Sequence, residues 1–402
     1  MGSRSPRRDP RTGAEPAGFD RITAESLVAA GHLKWTLFGP GTLGAFVAEM
    51  DFGTAPVVTA ALHLAVERMQ FGYLPPALAA AMQEACARWQ RDAYGWSVEP
   101  AAVRPLPDVI KALEIAITRC SRPGSPVILP VPAYMPFLEV PRHLGRDTIQ
   151  VPMASDGERA VYDLEALDAA FAAGGGLLVL CNPYNPLGRV MERHELEAIA
   201  AVVDRHGGRV FADEIHAPVV YAGHRHVPYA SLSPVTAAHT ITATSASKAW
   251  NLPGLKCAQL IVTSDDDAAT LDALEPFVTS GASTLGVVAN TVAFDEGRPW
   301  LEDVLAYLDG NRWLLAELLG ELLPEVGYTP PEGTYLAWLD CRALGLPPAL
   351  GDFFTAEAGV AVVDGARCGP PGAGFVRLNI ATTRSLLEAM VGRMAQAAHR
   401  HG

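Results

Sequence analysis

Residues 242–256 read TATSASKAWNLPGLK, and the fold turns on how Lys248 within them is read. The β-branched run Thr240-Ile241-Thr242 leads into small residues, and Trp250, Leu252 and Leu255 make the surroundings of Lys248 apolar. Desolvation disfavours an ammonium, lowers its pKa and frees an amine to attack a carbonyl. Taken alone, the string fits a surface lysine on a loop after a strand better than a nucleophile. The rest of the chain has to decide.

Working outward, apolar runs alternate with helical patterns. Val127-Ile128-Leu129 reads as a short strand ending at Pro130 to Tyr134. Leu177 to Leu180 is a continuous apolar run, as for a strand buried on both faces, and ends in CNPYNPLG, residues 181–188. Glu192 to His206 has helical periodicity; Arg209 to Ala212 is a strand ending in Asp213-Glu214-Ile215-His216. Cys257 to Val262 is one more strand. Strands separated by helices mean βαβ units and a largely parallel sheet, with the polar motifs on the edge that lines a ligand crevice. The fold class is therefore α/β.

Pro56 opens a helix over Val57 to Met69, the breaker loop Phe71 to Pro76 ends it, and a second helix runs from Ala77 to about Tyr94. Asp108 reads as the N-cap of a helix over Val109 to Ile117. Residues 284–323 form long helices, and residues 334–402 mix short strands with helices. The expected organisation is a disordered tail over 1–18, an arm over 19–55 belonging with the small domain, a large domain over 56–288 and a small α+β domain over 289–402.

Composition narrows the function. The 402 residues are 49% apolar and 19% charged, with a formal net charge of −13. A nucleic-acid binder would carry a basic patch, and no basic run exists outside the N-terminus. No run of about 18 apolar residues suggests a membrane span. Six scattered cysteines without a C-x-x-C pair fit free thiols in a reducing cytoplasm, not a zinc site or a disulfide framework.

Asp213 is either a structural acceptor or a carboxylate aimed at a heterocycle nitrogen. A pyridinium so held is the electron sink of pyridoxal phosphate. Lys248 lies one crossover unit further on, so both residues can share a sheet edge. Asn185 fits a donor to a ring phenolate oxygen or a plain turn residue. His216 suits a ring-edge or substrate contact, though a lone His is more often structural. The helix start at Val109 and Ile110 offers backbone N–H groups to a phosphate, with Ser245 and Lys256 adding a hydroxyl and a charge. Tyr134 suits stacking or core packing. Arg377, a charge inside the apolar strand Phe375 to Asn379, suits bidentate capture of a carboxylate or an internal salt bridge. Tyr73, beside Gly72, is a surface residue or reaches across a dimer interface.

Several strings look alike to one group of enzymes: KWTLFGPGTLGAFVAEMDF, FGY, VPAYMPF, CNPYNPLGRV, FADEIHAPVVY, TSASKAWNLPGLK, EGTYLAWLDC and VRLNIATTR. Spanning residues 34 to 384, the chain resembles the fold-type I pyridoxal-phosphate enzymes, and within them the MalY/PatB-type cystathionine β-lyases. The resemblance implies a homodimeric carbon–sulfur lyase acting on an amino acid. Lys248 would be the covalent anchor and proton shuttle, Asp213 the pyridine partner, Asn185 the ring-oxygen donor and Tyr134 the stacking ring. Ser245, Lys256 and the Val109–Ile110 amides would hold the phosphate, Tyr73 would come from the partner subunit, and Arg377 would bind the substrate carboxylate. Where relatives carry a glycine before the phosphate helix, this chain has Asp108. An aminotransferase on the same scaffold shares every cofactor contact, and a regulatory binding protein retaining the fold is the rival from another class.

Overall fold

The structure is a computed structural model that describes residues 18–157 and 159–401. The expected tail, apart from Gly18, lies outside the described residues. A seven-stranded sheet is built from Val103–Leu106, Val127–Val131, Thr148–Pro152, Leu177–Cys181, Arg209–Asp213, Thr240–Thr244 and Ala258–Val262. Five of these run parallel, in the spatial order 148, 127, 177, 209, 240 by first residue. The Ala258 strand is antiparallel to its neighbours on both sides. Continuous apolar sequence in the central strands is explained by burial on both faces: Val127–Val131 and Leu177–Cys181 are buried at every position.

Because the parallel strands share a direction, their C-terminal ends share an edge. That edge presents, side by side, the segments after Val131, Cys181, Asp213 and Thr244. The Cys181–Asp213 and Asp213–Ala243 register pairs bring the Asn185 loop, Asp213 and the Lys248 turn to neighbouring positions.

Asp108 caps Val109–Arg119 through its side chain, which accepts from the Lys111 N–H at 2.9 Å. Pro56–Glu67 and Pro76–Trp89 begin on prolines, where the missing N–H costs nothing. The second stops short of the expected Tyr94, and a π-helical turn covers Gln90–Tyr94. The strands Val103–Leu106 and Thr148–Pro152 were not foreseen; both are edge strands, half-exposed and carrying prolines.

A second, four-stranded antiparallel sheet contains Gly327–Tyr328, Leu336–Asp340, Val363–Asp364 and Phe375–Asn379, flanked by the helices Arg298–Leu322 and Arg384–His401. The N-terminal arm packs beside it in a separate two-stranded sheet, where Leu43–Gly44 pairs parallel with Val360–Ala361. Gly44 is required there, since a Cβ would meet the Lys34 carbonyl at 1.8 Å. Lys34 and Asp51 clasp the ends of the arm in a buried ion pair of 3.0 Å, with Trp35 Nε1 donating to the other Asp51 oxygen at 2.8 Å. All six cysteines are free and buried. Among the described residues, no helix is long and apolar enough to cross a membrane, and no His, Cys, Asp and Glu cluster could hold a metal ion.

Candidate functional site

The site is assembled from the sheet edge on one side and the Phe375–Asn379 strand on the other, with the arm threaded between them. Arg377 is 3% exposed. It donates to the Asn185 side-chain oxygen at 2.9 Å and to the Phe46 carbonyl at 2.9 Å. Its Nε has no partner, and no carboxylate pairs with it among the described residues. The internal salt bridge that an apolar strand would suggest is therefore absent. A buried guanidinium with an unused donor and no counter-charge among the described residues has the chemistry to pair with an anion. Burial lowers its pKa.

Lys248 donates to the Ala48 carbonyl at 3.0 Å. Burial lowers its pKa to about 8, with the positive Arg377 adding to the effect and Glu49 and Asp213 opposing it. Asp213 is buried at its strand end. One oxygen accepts from the Ile215 N–H at 3.1 Å, and the other takes no hydrogen bond among the described residues. Burial raises its pKa to about 7. His216 is buried with its Nδ1 unpartnered, packs edge-on against Tyr335 at 5.8 Å and has its pKa lowered to about 3 by burial, with Lys248 and Arg377 adding to it. Tyr134 packs on Phe137; burial raises its pKa, and the charges it feels are those of Arg377, Asp213 and Asp108.

The residues expected around a phosphate are placed as follows. The amides of Val109 and Ile110 are free first-turn donors. Asp108 does turn one oxygen into the helix, but its other oxygen pairs with Lys256 at 3.0 Å in the open. The Ser245 hydroxyl is not free: it donates to the Cys257 carbonyl at 2.7 Å and accepts from the Ser247 N–H at 2.9 Å. Buried at the end of its strand, it closes the turn that presents Lys248. Tyr73 does not reach this chain's own site; its side chain stands fully exposed.

A scan against family models matches residues 47–394 to aminotransferase class I and II. The chain belongs to this family. Among relatives of this aminotransferase family, the cystathionine beta-lyase of Corynebacterium glutamicum is 38% identical over 366 residues, which is 90% of this chain and 95% of that protein. Cystathionine beta-lyase PatB of Bacillus subtilis is 31% identical over 387 residues, 94% and 99% of the two chains. Among solved structures, cystalysin of Treponema denticola, which contains pyridoxal 5′-phosphate, superposes with a TM-score of 0.87 at 26% identity, covering 95% of this chain and 98% of that one.

Within this family fold, several contributions to the site were missed in the sequence. The Ala48 carbonyl accepts from both Lys248 and the Tyr335 hydroxyl, each at 3.0 Å. Asn379 holds the arm by donating to the Val47 and Glu49 carbonyls at 2.7 Å, and Asn251 exchanges bonds with the Met50 backbone. Thr334, just before Tyr335, sits at φ 67, a costly conformation for a β-branched residue. A backbone carbonyl carries no residue signal, but Asn379 inside an apolar strand was a detectable one.

Proposed function

We propose that the chain is a pyridoxal 5′-phosphate-dependent carbon–sulfur lyase. It cleaves the Cβ–S bond of cystathionine or another L-cysteine S-conjugate, giving a thiol, pyruvate and ammonia. The names of the relatives support this reaction class. The observation that carries it is Arg377, an uncompensated buried guanidinium beside Asn185, within the field of a depressed Lys248 amine.

The residues fit the cofactor. Asp213, a buried residue, keeps one carboxylate oxygen without a hydrogen bond, which suits a protonated ring nitrogen. The free Val109 and Ile110 amides, with Lys256 nearby on Asp108, suit a phosphate. Tyr134 offers a ring face, and the Asn185 amide NH₂ remains free to donate to a ring oxygen. When bound, the cofactor supplies an electron sink for negative charge at Cα.

Arg377 and Asn185 hold the substrate α-carboxylate and fix the orientation of Cα. Lys248, largely neutral above pH 8, takes the α-proton. Asp213 would be held ionised by the positive charge of a bound pyridinium, in spite of its burial. The arm carbonyl of Ala48 positions the Lys248 amine and the Tyr335 hydroxyl. His216, kept neutral, borders the same space. The thiolate leaves because its conjugate acid has a pKa of about 8.5.

The proposal extends to organisation. Residues 56–288 form a large domain, and 289–402 with the 19–55 arm form a small one, a division supported by the arm's pairing with Val360–Ala361. The exposed apolar Val66, Met69, Phe71 and Tyr73 support a homodimer in which Tyr73 serves the partner's site. Six unpaired cysteines support the cytoplasm. The deciding experiment incubates the enzyme with L-cystathionine and no keto-acid acceptor. Stoichiometric pyruvate supports the lyase; turnover only on adding a keto acid would make it an aminotransferase.

A further inference from the structure

A second cavity of about 260 Å³ lies behind the turn that carries Asp213 and His216. Ala217 forms part of its wall, and Trp89, on another side, packs edge-on against Trp250, two residues from Lys248, at 5.1 Å. The cavity opens between the Trp89–Tyr94 segment, the 217–226 loop and the first turns of the helix Arg298–Leu322.

Three features give it a ligand chemistry. First, His226 lines the cavity, is 2% exposed and has its Nδ1 unpartnered. Its Nε2 is occupied by the buried Glu214 carboxylate at 3.2 Å, whose other oxygen accepts from the Tyr229 N–H at 2.9 Å. Nδ1 has no partner among the described residues, so a guest in the cavity would satisfy it. Second, the guanidiniums of Arg225 and Arg298 stand at the mouth without an ion pair among the described residues, against a single lining carboxylate, Glu302. Third, the body of the cavity is aromatic and aliphatic, with Trp89, Tyr94, Leu301 and Leu305. Arg298 lies over the Trp89 ring at 4.4 Å, which holds the cation at the rim.

We propose that this cavity is a second ligand site, separate from the Lys248 site, for a small organic carboxylate with an aromatic or apolar body. The body packs between Trp89 and the Leu301–Leu305 face. The carboxylate meets Arg298 or Arg225 at the rim and accepts from His226 Nδ1–H at the base. The imidazole meets Glu214 through Nε2 and leaves Nδ1 for the guest. Since Glu214 follows Asp213 directly, the guest sits one residue behind the reactive edge.

Calorimetric titration of the full chain with phenylacetate tests this. The R225A/R298A double variant, the H226F variant and the R377A variant are titrated in parallel. The expected result is phenylacetate binding that persists, at one per chain, in R377A. Affinity is expected to fall at least tenfold in R225A/R298A, whose two changed side chains are exposed and outside the folded core. Neutral phenylacetamide binds more weakly. No heat with phenylacetate up to 10-fold above millimolar concentration overturns the proposal, as does binding lost in R377A and kept in R225A/R298A. Should H226F fail to fold, a crystal structure of the wild type with phenylacetate decides: density on His226 supports the site, and density only at Arg377 overturns it.

Discussion

Arg377 donates to the side-chain oxygen of Asn185 at 2.9 Å, joining the strand Phe375–Asn379 to the loop after Leu177–Cys181 across 192 positions of sequence. The pair holds a buried positive charge in place with a neutral acceptor. A carboxylate partner would have quenched that charge. Replacing Arg377 by Ala should raise KM for an L-cysteine conjugate by about 10²- to 4 × 10³-fold, the scale of a lost buried charge pair of about 3–5 kcal/mol. Replacing Asn185 by Ala should cost less, about tenfold, because the Phe46 carbonyl still anchors the guanidinium. Steady-state kinetics of both variants check the order; equal effects would refute it.

Lys248 sets a pH window. With its pKa lowered to about 8, its amine should react with trinitrobenzenesulfonate in the cofactor-free chain with a midpoint near pH 8, while exposed lysines titrate near the ordinary value of about 10.4. Peptide mapping of labelling rate against pH measures this. Lys248→Ala should lower lyase turnover by at least about 10³-fold and leave pyridoxal phosphate removable by gel filtration.

Asp213 and His216 pull the stability of the cofactor-free chain in opposite directions. Asp213 is raised from 3.8 to about 7, so the folded chain keeps a proton that the unfolded chain has lost. Its contribution is full below pH 3.8 and is lost as pH rises through about 7. His216 is lowered from 6.5 to about 3, so its contribution is full above pH 6.5 and is lost as pH falls through about 3. Asp213→Asn should therefore raise Tm of the cofactor-free chain at pH 8 by about 2 °C or more, change it little at pH 4, and abolish turnover. Scanning calorimetry at the two pH values tests the sign.

The clasp on the arm is a stability device with a functional consequence. Lys34 and Asp51 are both almost fully buried, and Lys34 also donates to the Ala381 carbonyl at 3.2 Å. Asp51→Ala strands that ammonium and should destabilise the fold by about 3–5 kcal/mol. It should also loosen Ala48 and Phe46, which face Lys248 and Arg377. Denaturant unfolding and limited proteolysis within residues 34–51 would show it.

Tyr73 is expected to act only in the assembled protein. Tyr73→Ala should weaken pyridoxal-phosphate retention about tenfold or more while leaving the oligomer intact. Light scattering and cofactor dilution separate the two; unchanged retention would remove Tyr73 from the site.

Much of the fold was legible because burial leaves a mark on sequence. The apolar runs at Leu177–Leu180 and Arg209–Ala212, each ending in polar residues, give strands and a shared edge. Asp108 was readable as a cap from its place before a periodic run. The strands Val103–Leu106 and Thr148–Pro152 were not readable, since half-exposed edges with prolines leave no periodic signal. The bond of the Ser245 hydroxyl to the Cys257 carbonyl was not readable, because a backbone acceptor is invisible in side-chain chemistry.

By itself the sequence determined which side chains stand at the strand ends and that Lys248 lies in apolar surroundings, because period, burial and turn chemistry are local. It left Arg377 open between a salt bridge and capture of a carboxylate, and it read Lys256 only as a phosphate partner. Only the tertiary structure decided that Arg377 is paired with Asn185 and not with a carboxylate, and that Lys256 rests on Asp108. It also decided that the arm backbone at Ala48 holds the Lys248 amine. These are contacts between segments up to hundreds of residues apart, and they depend on how two sheets and an arm close on one another. No local pattern encodes that closure.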